Sequence, residues 1–81
     1  KKVHVLVIPK GEYVDLDDFN TKASDKEIVE LNKALTSVAN LMGLKDKGYR
    51  ALTNLGSDGG QEVPHLHFHI FAGEKIGKMV S

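Results

Sequence analysis

The sequence has no cysteine, so neither a disulfide framework nor thiolate chemistry is open to it. It has no excess of either charge, since eleven basic residues meet eleven acidic ones. A nucleic-acid-binding domain usually shows a basic surplus, and no such partner is expected. No apolar run approaches the ~18 residues of a membrane span, so no membrane partner is expected either. Prolines number two, Pro9 and Pro64, and each stands where a strand would end or begin. Asp15, Asp17 and Asp18 lack the spacing, the glycine and the closing glutamate of a calcium loop. They read as a short, solvated, acidic helical turn over Asp15 to Phe19, anchored by Leu16 and Phe19. Eighty-one residues allow one domain. A chain of this size buries only roughly 60–65% of its unfolded surface, so its core is small. No leader segment is visible. The chain enters a strand almost at once after Lys1 and Lys2, which suggests a domain over 1–81 whose upstream part is left out.

What the sequence does have is histidine in one place. Three of its four histidines stand in His65-Leu66-His67-Phe68-His69-Ile70-Phe71. Side chains alternate between the faces of a β-strand. As a strand, this stretch puts His65, His67 and His69 in one row and turns Leu66, Phe68 and Ile70 toward a core. A helix would scatter the imidazoles round its axis. Imidazole is mostly neutral and nucleophilic near pH 7. Residues two apart on a strand lie ~7 Å apart, so two histidines of the row can flank one phosphorus centre.

The rest of the chain supports such a strand. Val3 to Ile8 is a dense β-branched run closed by Pro9, and reads as a central strand covered on both faces. Val3, Val5 and Val7 then face the core and His4 the other side. Ser24 and Glu27 fit a capping box. Ile28, Leu31, Leu35, Val38, Ala39 and Met42 follow at helical period, and Gly43 is a fitting stop, which predicts a helix over about 24–43. Tyr49 to Leu55 reads as a further strand with Asn54 at its end. Gly56 to Gly60 is a loop by composition, and Glu74 to Ser81 has no period. The predicted fold is α+β: an antiparallel sheet from about 3–9, 49–55 and 64–72, with the last two strands paired as a hairpin. One long helix covers one face, and the histidines occupy the other.

The pattern of His65 to Phe71 resembles the signature of the histidine triad (HIT) superfamily of nucleotidyl hydrolases and transferases. The run Gly48-Tyr49-Arg50, with Asn54-Leu55-Gly56-Ser57-Asp58-Gly59-Gly60-Gln61-Glu62-Val63-Pro64, looks like the Hint-like nucleoside phosphoramidase branch. His4 to Lys10 is similar to the family strand that carries a fourth histidine. The likeness runs from about Val3 to about Gly73. It implies a homodimer, a cytoplasmic location, no cofactor and an AMP-like nucleotide substrate. It implies that His67 is the nucleophile and forms a covalent nucleotidyl-imidazole, while its other ring nitrogen donates to a backbone carbonyl. His69 would contact the phosphate, and His65 and His4 would support the nucleophile through hydrogen bonds. Asn54, Gly60, Gln61 and Glu62 would line the phosphate or ribose. Some Hint-like proteins carry a serine where Glu62 stands, which leaves the leaving-group acid open between Glu62 and a histidine. Pro64, where relatives often have tyrosine, reads as a packing change.

Other readings compete. The same triad serves Fhit-like dinucleoside polyphosphate hydrolases. A nucleotide-binding module without turnover would have no need of a central nucleophile. A His-x-His zinc site is a third reading; His67, His69 and Glu74 echo part of a cupin motif, but Gln61 stands where its glycine would be. The chain is also short for a jelly roll. The Gly-Gly-Gln loop beside the triad favours cleavage of nucleoside 5′-phosphoramidates.

Overall fold

The computed structural model describes residues 3–73. Its elements are β1 (Val3–Val7), α1 (Leu16–Lys22), α2 (Asp25–Leu41), β2 (Arg50–Leu52) and β3 (Phe68–Ala72). The fold is α+β, a three-stranded antiparallel sheet with helices. The sheet order is β1-β3-β2. β3 is therefore the central strand: Val5 and Ala51 both pair with Ile70, and Leu6 and Leu52 both pair with His69. The expected irregular tail from Glu74 lies outside the described residues.

Alternation holds along β1. Val7 is buried and Val3 and Val5 are partly buried, whereas His4 and Leu6 are exposed. Among the described residues β1 pairs with β3 alone, and Leu6 and Ile8 are each 57% exposed, so the expected cover on both faces is not seen there. A continuous apolar run marks β-propensity but does not say how many layers cover it.

The aspartates build more than a turn. Asp15 caps α1, its carboxylate accepting from the Asp18 amide at 2.8 Å. Asp17 and Asp18 occupy the first turn, where the helix dipole favours negative charge. Asp18 also accepts from the Val14 amide and pairs with Lys22 at 2.9 Å. The Lys22 contact and the Val14 amide hold the Asp18 carboxyl below its ordinary range.

α2 begins at the expected capping box, with Ser24 and Glu27 bonded reciprocally. It ends in a Schellman motif: the Gly43 amide bonds the Asn40 carbonyl and the Leu44 amide the Ala39 carbonyl. Gly43 takes a left-handed φ of +72°, which its lack of a Cβ permits. Leu31 and Ala39 are buried, with Ile28, Ala34, Leu35 and Val38 packed beside them. Met42, expected in this stripe, is 47% exposed because it is the C-cap, past the last full turn. The core joins these residues to Phe19, Leu44, Leu66, Ile70 and Ala72. Burying one side chain such as Ile70 contributes ~1.5–3 kcal/mol, which fixes the faces of β3.

Candidate active site

The expected histidine strand is shorter than its sequence pattern. Only His69 lies within β3; His65 and His67 precede it. The main chain before Phe68 bonds elsewhere than to a neighbouring strand. The His65 amide donates to the Val63 carbonyl at 2.8 Å and the Leu66 amide to the Tyr13 carbonyl at 2.7 Å. Leu66 still turns inward and is buried. β2 likewise stops at Leu52, short of the expected Leu55, and the Thr53 hydroxyl donates to the His67 carbonyl at 2.6 Å.

The His67 ring is held by its own chain. Nδ1 lies 2.8 Å from the His65 carbonyl oxygen. A carbonyl only accepts, so Nδ1 carries the hydrogen. In the neutral ring the lone pair is then on Nε2. The ring stands edge-on to His69, with centroids 4.9 Å apart.

His4 and His69 form a pair, Nε2 of one 2.8 Å from Nδ1 of the other. The strand register explains it: His4 is opposite Phe71 and diagonal to His69 on the outward face. The Phe71 ring stacks on His4 at 4.4 Å and on His69 at 5.5 Å. Burial lowers the His69 pKa from its ordinary 6.5, with help from the nearby His67 and His4, so His69 is mostly neutral at pH 7. His4 contacts His69 instead of His67, and His65 supports His67 through its main-chain carbonyl.

The glycine loop lies close by in sequence and bonds largely to itself. The Gly60 amide donates to the Ser57 carbonyl and the Gln61 amide to the Gly56 carbonyl. Asn54 Nδ2 donates to the Gly59 carbonyl at 2.5 Å. Gln61 Nε2 donates to the Val14 carbonyl at 2.6 Å and the Val63 carbonyl at 3.0 Å, and its Oε1 accepts from the Gly56 amide. A Cβ on Gly59 would run into the Leu55 carbonyl, so only glycine fits there. The groups of Asn54, Gly60 and Gln61 expected to meet a phosphate are engaged within the protein in this state. Glu62 is exposed. Among the described residues no three His, Asp or Glu side chains converge to hold a metal ion. No helix among them is long and apolar enough to cross a membrane.

Two contributors, Thr53 and Tyr13, carried no sequence signal. Thr53 stands one residue past the end of β2 and meets the His67 carbonyl. Tyr13 joins the capping box to the histidine run: its hydroxyl donates to Glu27 at 2.7 Å, its ring packs edge-on against Phe19, and its carbonyl holds Leu66. Only the reciprocal Ser24–Glu27 pattern pointed to that region.

A sheet whose central strand follows directly on a ring-anchored histidine, with a bonded histidine pair beside it, is the geometry of a histidine triad fold. Comparison with known proteins agrees. The model of the HIT domain family matches residues 1–76, and the chain belongs to that family. It is 53% identical over 78 residues to an uncharacterized 13.2 kDa HIT-like protein of Azospirillum brasilense, covering 96% of this chain and 64% of that protein. It is similar in structure to a HIT family hydrolase from Clostridium thermocellum, with a TM-score of 0.83 at 37% identity, over 98% of this chain and 68% of that one. A purine nucleoside phosphoramidase of Escherichia coli is 28% identical over 78 residues, covering 96% of this chain and 65% of that protein. The chain thus spans just under two thirds of the length of these curated relatives.

Proposed function

We propose that this domain cleaves nucleoside 5′-phosphoramidates through a covalent nucleotidyl-His67 intermediate. The observation that carries the reading is the His67 Nδ1 contact with the His65 carbonyl at 2.8 Å, which leaves Nε2 as the lone-pair nitrogen. The phosphoramidase among the relatives, 28% identical, supports the choice of a phosphorus–nitrogen bond.

In the first step Nε2 of His67 attacks the α-phosphorus. The phosphorus–nitrogen bond breaks and its electron pair goes to the leaving nitrogen. That nitrogen takes a proton from Nε2 of His69 in its doubly protonated form, whose Nδ1–H is donated to His4. The amine departs. In the second step water attacks phosphorus and gives its proton back to Nε2 of His69. The bond from phosphorus to His67 breaks, returning the pair to Nε2 and releasing the nucleoside monophosphate. His69 serves as acid and then as base, and its depressed pKa makes it a ready donor when charged. Both Nε2 hydrogens of Gln61 are spent on main-chain carbonyls and would have to be exchanged for a side-chain contact with the phosphate.

The test is adenosine 5′-phosphoramidate with the full-length protein, following AMP release and quenching early for an adduct of one AMP. AMP release with the adduct on His67 supports the reading. Turnover that survives in His67→Ala, or that a chelator abolishes, overturns it.

A further inference from the structure

We infer that Thr53 is a positioning residue for His67, fixing the main chain from which the nucleophilic ring is aimed. The inference rests on the reading of His67 as nucleophile and adds a residue to it.

The β2–β3 register pairs Arg50 with Phe71, Ala51 with Ile70 and Leu52 with His69, and goes no further. His67 lies one residue before β3, and among the described residues no main-chain amide outside the strands donates to its carbonyl. The Thr53 hydroxyl fills that place at 2.6 Å, in a partly buried setting. The two bonds on His67 have different jobs. The His65 carbonyl sets the ring's tautomer and rotation. Thr53 sets the position of the backbone that carries the ring, and ties it to the end of β2. A side-chain hydroxyl can do this where a backbone amide cannot, because it reaches past the last ladder pair. The hydroxyl is spent on a main-chain acceptor, so Thr53 acts through His67 and not on the substrate. Reacting groups must sit close to their productive geometry, and a misplacement of about 1 Å can cost ~10²-fold in rate.

The experiment compares Thr53→Val and Thr53→Ser in the full-length protein. Valine keeps the shape and removes the hydroxyl; serine keeps the hydroxyl. The readouts are the rate of nucleotidyl-His67 formation in a single turnover with adenosine 5′-phosphoramidate, the KM, and the 15N signals of the His67 ring. T53V is expected to slow adduct formation about 10–100-fold with KM within about twofold, and to weaken the Nδ1-protonated signature of His67. T53S is expected to restore most of the rate. Should T53V not fold, Thr53→Ala carries the same comparison. Wild-type adduct formation in T53V, or equal loss in T53V and T53S, overturns the inference. If the wild-type protein forms no adduct at His67, the parent reading fails. The ring signals then decide for Thr53 alone, and an unchanged His67 spectrum in T53V overturns its role.

Discussion

The histidine run and the glycine loop are neighbours in sequence and opposites in their bonding. In residues 56–61 the polar groups are taken up by main-chain partners: the amides of Gly60 and Gln61 bond within the loop, Asn54 reaches Gly59 from just upstream, and the Gln61 side-chain amide serves Gly56, Val14 and Val63. In the histidine run the backbone is held from outside by Tyr13 and Thr53, and the bond on the His67 ring leaves one nitrogen uncommitted. The loop holds a shape, and the run leaves one ring nitrogen of His67 open. On the proposed reading, that nitrogen is the nucleophile.

The largest expected effect comes from removing the uncommitted nitrogen. His67→Ala should abolish the adduct and lower AMP release by at least ~10⁴-fold, read in single-turnover assays. Next is the loop. Gln61→Leu removes the ties to Val14, Val63 and Gly56 at once. It is expected to lower stability by about 1–3 kcal/mol in urea denaturation and to speed hydrogen exchange at the Gly56 amide. A loop that kept wild-type stability would show that these bonds do not hold it. Tyr13→Phe cuts the strut to Glu27. Since this bond is exposed, only a small loss of melting temperature is expected. Glu27 is held below its ordinary carboxylate range by the Ser24 amide first and by Tyr13 next. Its contribution is therefore present above the unfolded carboxylate pKa and lost as pH falls through the folded one. The Y13F difference should shrink in acid.

The smallest effect concerns His69. Its imidazole should titrate below 6.5 by NMR. Because its folded pKa is depressed, the stability it contributes is full above 6.5 and is lost as pH falls through the folded value. Burial leads the shift and His67 follows, so His67→Asn should bring the value only part of the way back. A His69 that titrates above 6.5 would contradict the desolvated setting.

Much of this was legible in residue order. The alternation of Leu66, Phe68 and Ile70 placed the core face, and the Ser24–Glu27 pair placed the start of α2. The spacing of the histidines pointed to one chemical site. Strand limits were not legible, because they depend on competing partners far along the chain. Nothing local says that the Leu66 amide goes to Tyr13 or that the Thr53 hydroxyl goes to His67. The resemblance implies a phosphate contact for Gln61, and residue order gave no sign that its side-chain amide serves three main-chain groups.

The central claim is that Nε2 of His67 holds the lone pair because Nδ1–H is bound to the His65 carbonyl. Long-range 15N–1H correlation on the histidine rings, above pH 7 and without substrate, reads it directly. The expected result is a protonated Nδ1 and an unprotonated Nε2 at His67. A His67 protonated on Nε2, or one exchanging freely between the two tautomers, would contradict the account.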